Sequence, residues 1–363
     1  MLIGIDASQA RKSHKTGIEW YSYHMIKELL RIIPPLHHVR LYAPYDLPQE
    51  FLPIPSHWEA KVLRWPFARG WTQVRLAWEL HRDMPDIYYT PGYMIPLCFK
   101  GRAAVTIHDV AFRLNPSAYR HPRINDLIHR WNAKRADVIF APSQSTAHAL
   151  VEAYDIDPTK IHIVPEGVDQ TLYHPVEDAV VQKTKARYHL YAPYVIMVGR
   201  VEEKKNVIFA LQAMKEVRKC DGYADCSLVL AGERGFRHEA ITSWVKSHHA
   251  QNWVRELGWI PAQDLPVLMS GALCLLALGR EEGFGLTVLE GLACGISVVA
   301  SDIPAHQEVG GEVVTYVGAD PAVIAHAITN VNDTLEKRQQ RIAHAAHFPW
   351  ERTARMIYAY INK

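Results

Sequence analysis

Short apolar runs alternate with amphipathic stretches along the chain. LIGIDA (residues 2–7) has the length of a buried strand, and GIEWYSYHMIKELLRII (17–33) carries apolar positions at helical spacing. VRLYAP (39–44), DIYYTP (86–91), AAVTIHD (103–109), DVIFAPS (137–143) and KIHIVPEGVD (160–169) predict further strands, while residues 123–136 and 143–154 predict helices. Strand–helix alternation of this kind predicts a parallel sheet with helices on both faces.

Residues 173–190 form a polar stretch of low predicted order, after which the alternation resumes. YVIMVGR (194–200), CSLVLAGE (226–233), WVRELGWI (253–260), LCLLAL (273–278) and SVVASD (297–302) predict strands. Helical spacing recurs at 206–219, 238–250, 264–272, 286–295 and 321–333. The expectation is an α/β protein of two domains, 1–172 and 173–348, with the closing helix 349–363 assigned to the first. Sheets of this type bind ligands at the carboxyl ends of their strands, which places the expected site in a cleft between the domains.

Composition narrows the function. With 363 residues and 48% hydrophobic content, two separate cores are affordable. Lys and Arg number 40 against 38 Asp and Glu, so the basic excess of a nucleic-acid binder is missing. The five cysteines form no CxxC pair, which argues against a zinc site or a disulfide framework and for a reducing, cytoplasmic setting. The opening MLIGIDASQARKSHKTG does not read as a secretory signal, and no stretch approaches the roughly 20 apolar residues that span a bilayer.

The strongest local signal is EEGFGLTVLEG (281–291), a strand running into a glycine-bearing turn and then a helix that starts near Leu286. Gly283 and Gly285 let backbone approach a ligand, and the first N–H groups of the helix make an anion site. Glu282 in the turn and Glu290 in the helix suit neutral hydroxyl partners such as a sugar ring and a ribose; an ordinary turn with solvated glutamates is the plain alternative. The second signal is GRVEEKKN (199–206), where Arg200 offers a fork of donors and Lys205 a point charge, a pair fitted to a diphosphate. Glu202 and Glu203 dilute that charge, so a solvated loop competes. Gly17 follows the first strand, where a turn explains it equally well, and His108–Asp109 end a strand of the first domain. Asp155-Ile156-Asp157 spells DxD but precedes a proline between helix and strand, and is read as a turn. Residues 64–78, RWPFARGWTQVRLAW, mix tryptophan, phenylalanine and arginine; a membrane-surface contact and an amphipathic helix against the core are both open.

Taken together, the landmarks TG (16–17), HD (108–109), APSQST, IVPEGVD, VGR…KKN, EGFGLTVLE and FPWERTA, in this order, resemble the group 1 (family 4) retaining glycosyltransferases of GT-B fold over almost the whole chain. SDIPAHQEVGG and HDVAFRLNP are similar to its mannosyltransferase-like members. The resemblance implies two Rossmann-like domains, the first for the acceptor and the second for the donor. It implies that Arg200 and Lys205 hold the donor diphosphate, that Glu282 meets the sugar hydroxyls, and that Gly283, Phe284, Gly285 and Leu286 offer backbone N–H groups. It also implies that Glu290 binds the ribose, that His108 lies beside the transferred sugar, and that Gly17 leaves room for phosphate. Arg200, Lys205, Glu282 and His108 form the implied catalytic set, with no metal and no cofactor beyond the nucleotide diphosphate sugar. GDP-mannose is the favoured donor and a UDP-sugar the other, with a glycan or lipid-linked acceptor in cell-surface polysaccharide synthesis. Three departures stand out: ALGRE (277–281) replaces a proline–serine, Thr287 stands where proline is common, and Glu166 where asparagine is usual. The competing functions are a nucleotide-sugar 2-epimerase, which would convert donor without acceptor, and a non-catalytic nucleotide-sugar binder.

Overall fold

The computed structural model describes residues 1–10, 15–67, 69–92 and 94–363. The chain divides into two compact units: residues 1–116, 121–167 and 350–363, and residues 117–120 and 168–349. The predicted division at 172/173 falls within five residues of the change at 167/168.

In the first unit, β1 (Leu2–Asp6), α1 (Gly17–Ile32), β2 (His38–Ala43), β3 (Trp58–Val62), α2 (Ala77–Arg82), β4 (Ile87–Thr90), β5 (Arg102–Thr106), α3 (Ala111–Leu114), α4 (Pro122–Arg135), β6 (Val138–Ala141), α5 (Gln144–Tyr154) and β7 (Ile161–Ile163) follow in order. The strands form one parallel sheet, β3-β2-β1-β4-β5-β6-β7, with Ile3 opposite Val39 on one side and Ile87 on the other. Burial on both faces is why β1, β4 and β6 read as continuous apolar runs rather than alternating ones. β3, Trp-Glu-Ala-Lys-Val, escaped the pattern search because it is an edge strand with Glu59 and Ala60 in solvent.

The second unit holds α6 (Asp178–Arg187), β8 (Tyr194–Val198), α7 (Val207–Val217), β9 (Ser227–Ala231), α8 (His238–Ser247), β10 (Val254–Gly258), α9 (Leu265–Ser270), β11 (Leu275–Ala277), α10 (Leu286–Ala293), β12 (Val298–Ser301), α11 (Pro304–Gly310), β13 (Thr315–Val317), α12 (Pro321–Thr329) and α13 (Leu335–Ala345). Its parallel sheet runs β10-β9-β8-β11-β12-β13. Val195 and Met197 point into one core layer, Tyr194 and Ile196 into the other, so a single strand feeds both faces. The stretch expected to be of low order instead contains α6. Only Val181 and Thr184 of its ten residues are buried, too few for an apolar period to show in the sequence.

The last helix, α14 (Trp350–Ile361), belongs to the first unit. Trp350 stacks on His24 of α1 with ring centroids 5.1 Å apart, and Thr353 Oγ1 donates to the Pro165 carbonyl at 2.7 Å.

Residues 64–78, of which Ala68 lies outside the described residues, divide between core and surface. Trp71 is buried and donates through Nε1 to the Leu63 carbonyl at 2.8 Å, opening a π-helical turn (Trp71–Leu76) that runs into α2. Phe67 and Trp78 are exposed, and the Arg75 and Arg82 guanidiniums lie 5.1 and 5.5 Å from the Trp78 ring. No helix among the described residues is long and apolar enough to cross a membrane.

Candidate functional site

In the second unit β8 lies between β9 and β11, with Ile196 opposite Leu275. Chain order reverses there, so the loops leaving β8 and β11 open on the same spot at the carboxyl edge of the sheet. Those loops are 199–206, singled out from the sequence, and 278–285, which leads into the other segment singled out, 281–291.

Asn206 ties them together. It holds a left-handed conformation (φ 54°) between a short turn (Glu203–Lys205) and α7. Its Nδ2 donates to the Leu278 carbonyl at 2.8 Å, and its Oδ1 accepts from Arg280 Nε at 2.7 Å. The Arg280 N–H in turn donates to the Lys204 carbonyl at 3.0 Å. With the backbones fixed, Lys205 Nζ donates to Glu282 Oε1 at 2.5 Å. A side chain at Gly279 would collide with the Glu282 carboxylate, so glycine there gives the acid its position.

The charges around Glu282 settle its state. Burial raises its pKa, but the Lys205 ammonium, with His306 and Lys204 behind it, outweighs burial and holds the carboxyl below its usual range. Glu282 is therefore an ionised acceptor at neutral pH, suited to sugar hydroxyls. His306 is buried, and burial lowers its pKa; its Nδ1 lies 3.1 Å from the Ser301 carbonyl, which fixes the proton on that nitrogen. Arg200, by contrast, is exposed, and among the described residues no ion pair or hydrogen bond engages its guanidinium.

Past Glu282, Gly283 and Phe284 lead to Gly285, the residue before α10. Gly285 takes φ +109°, a conformation open to glycine, and its missing side chain leaves room for His306 and Val309. No side chain caps this helix end, so the N–H groups from Leu286 onward are available to an anion. Phe284 turns its ring into the core, 6.1 Å from Phe348, leaving only backbone for a ligand. Glu290, half-buried on α10, is hydrogen-bonded by the Tyr173 hydroxyl, whose pKa burial and the Glu290 charge push well up.

The first unit carries the remaining predicted residues. Gly17 is the first residue of α1, and among the described residues nothing lies within 4 Å of where its side chain would be. His108 follows β5; its Nδ1 lies 2.9 Å from Glu166 Oε1, its Nε2 lies 3.0 Å from the Pro91 carbonyl, and its ring stands edge-on to Tyr21 at 4.5 Å. Asp109 accepts from the Ala111 N–H at 2.9 Å and so shapes the loop. The DxD segment is a turn: Asp155 is left-handed, and Asp157 accepts from the Thr159 N–H and hydroxyl. No group of three or more His, Cys, Asp or Glu side chains suited to a metal ion occurs among the described residues.

Sequence reasoning missed Asn206 as the tie between loops, Arg280, His306, Tyr173 and the Glu166–His108 contact. An asparagine directly before a helical run is a detectable signal for the first. The others join positions far apart in sequence, and no local pattern marks them.

A sequence model described as Glycosyl transferases group 1 matches residues 182–347, and one described as Glycosyltransferase Family 4 matches residues 15–172. The chain is 28% identical over 299 residues to the O-antigen chain mannosyltransferase B of Escherichia coli, covering 79% of this chain and 77% of that protein. It is 30% identical to the D-inositol 3-phosphate glycosyltransferase of Salinispora arenicola over 60% of this chain and 53% of the relative. Among solved structures, Anabaena HepE in complex with UDP and glucose superposes with a TM-score of 0.75 at 17% identity, covering 100% of this chain and 99% of that one. The sucrose-phosphate synthase of Thermosynechococcus elongatus gives 0.76 at 18% identity, covering 99% and 98%. At such identity these structures establish the shared fold.

Proposed function

This chain belongs to the group 1 glycosyltransferases of GT-B fold, and from that membership we propose that it transfers mannose from GDP-mannose, with retention of configuration, to a glycan or lipid-linked acceptor. Hexosyl transfer from a nucleotide sugar is the activity; donor, acceptor and site roles are the proposal. The observation that carries it is the joining of two loops at the strand-order reversal, which sets Lys205 against an ionised Glu282 on loops that also carry the exposed Arg200 and the uncapped start of α10.

The chemistry follows from the leaving group. As the glycosidic bond breaks, negative charge builds on the nucleoside diphosphate; preplaced cations and helix N–H groups that meet it lower the barrier without reorganising. Arg200, Lys205 and the N–H groups of residues 283–286 supply this in the proposed site, Glu282 orients the sugar through its hydroxyls, and Glu290 receives the ribose. His108 is assigned to the transferred sugar and Gly17 to clearance for phosphate. Cations of the chain itself in this role leave no need for a metal, so turnover in excess EDTA is expected to equal turnover without it.

Mannose is favoured because several relatives carry it in their names, among them the E. coli O-antigen mannosyltransferase and a GDP-mannose-dependent phosphatidylinositol dimannoside mannosyltransferase of Mycobacterium tuberculosis, 29% identical over 60% of this chain. The UDP bound to Anabaena HepE keeps a UDP-sugar as the other donor. A lipid-linked acceptor would bring the protein to a membrane surface, where Phe67 and Trp78, with Arg75 and Arg82 beside the Trp78 ring, are the contact we assign.

A thermal-shift panel of GDP-, UDP- and ADP-sugars tests the donor, because a ligand that binds only the native state raises its midpoint. GDP-mannose is expected to raise it most. A larger rise with a UDP-sugar would reassign the donor, and no rise with any of them would remove the proposed site.

A further inference from the structure

The His108 ring meets an oxygen at each of its nitrogens. The Pro91 carbonyl has no proton to give, so Nε2 must be an N–H donor. Nδ1 then faces Glu166 Oε1 at 2.9 Å. Either the ring is a neutral imidazole whose Nδ1 accepts a hydrogen bond from a carboxylic acid, or it is an imidazolium whose Nδ1 N–H donates to a carboxylate. A carboxyl group is ordinarily about two pH units more acidic than an imidazolium, which favours the ion pair.

The surroundings agree. Tyr21 of α1 faces the ring edge-on, and its hydroxyl is engaged with Thr106 Oγ1 at 3.1 Å, which Tyr89 of β4 also meets at 3.0 Å. Asp109 beside the ring adds a second negative charge. His129 of α4 is the other titratable ring nearby, and burial keeps it neutral at neutral pH, so it brings no competing positive charge. Burial lowers the His108 pKa, but Glu166, the Pro91 carbonyl and Asp109 outweigh it and raise the pKa above the ordinary value.

We propose that Glu166 is a positioning residue that holds His108 as a doubly hydrogen-bonded imidazolium, so that this histidine serves hexosyl transfer as a fixed positive charge and not as a proton acceptor. The inference rests on the assignment of His108 to the transferred sugar. It also gives a consequence to the departure at position 166: an amide there would donate to Nδ1 and satisfy a neutral ring, whereas the carboxylate requires the charged one.

The test is a pH titration of the His108 ring nitrogens by 15N NMR in wild-type protein and Glu166→Gln, with the resonance identified by its loss in His108→Asn. The same proteins are assayed for release of GDP from GDP-mannose across the same pH range. In wild type both ring nitrogens are expected to be protonated at pH 7. In Glu166→Gln, whose amide keeps the hydrogen bond, the His108 pKa is expected to fall by about one to two pH units. The alkaline limb of kcat should move with it while KM is unchanged, and Glu166→Asp should restore the limb. An unprotonated Nδ1 in wild type at pH 7, or a His108 pKa unmoved in Glu166→Gln, overturns the proposal. The wild-type spectrum decides even if the variant does not fold. Absence of any GDP release would count against the donor reading alone, because the spectrum needs no turnover.

Discussion

Lys205 and Glu282, 77 residues apart in the chain, meet at 2.5 Å across the point where strand order in the second sheet reverses. Beside them Asn206 ties the loop after β8 to the loop after β11. The pair is therefore a readout of whether those loops are correctly assembled.

Substitution of either member should abolish transfer. Lys205→Ala and Glu282→Ala are each expected to lower kcat by about a hundredfold or more, the scale seen when a preorganised charge or donor is removed from a reaction centre. Circular dichroism should remain that of the wild type, because both side chains are partly exposed, with at most a small loss in melting midpoint from the broken ion pair. Near-normal turnover in either purified variant would contradict the site assignment.

The same pair gives stability an acid dependence. Glu282 has a folded pKa below its unfolded value, so its contribution is present above the unfolded value, about 4.3, and is lost as pH falls through the folded one. Urea midpoints measured between pH 3 and 6 should fall with acidification less steeply in Glu282→Gln than in wild type. Parallel curves would mean that the pair contributes nothing.

Gly285→Ala tests the turn before α10. The new methyl would be forced into φ +109° and to 3.0 Å from His306 Cδ2 and Val309 Cγ1. A backbone strain of about 1–3 kcal/mol is expected, read as a lowered denaturant midpoint, together with weaker donor binding in the thermal-shift assay. An unchanged midpoint would show that the turn relaxes freely.

At residues 64–78, surface and core predict opposite phenotypes. Phe67→Ser with Trp78→Ser should lower recovery on anionic vesicles in flotation and leave stability within about 0.5 kcal/mol. Trp71→Ala should instead destabilise by about 3–5 kcal/mol, since Trp71 is buried and hydrogen-bonded. Vesicle recovery equal to that of the doubly substituted protein in wild type would end the membrane reading.

Local pattern along the chain was enough for the two parallel-sheet units and for the two loops that carry charge. Strands buried on both faces and helices with one apolar stripe leave local periods, and loops such as 199–206 and 281–285 leave glycines and charges at fixed spacing after them. Edge strand β3 and helix α6 were not legible, because Glu59 and Ala60 or eight of ten α6 residues face away from any core and leave no period. Pairing came from the folded chain alone: Lys205 with Glu282, Asn206 with Arg280, His108 with Glu166, Tyr173 with Glu290. The fold sets these distances, and for Glu282, His108 and Tyr173 they decide which way the pKa moves, because a charge or proton depends on what lies within a few ångströms in space whatever the separation along the chain.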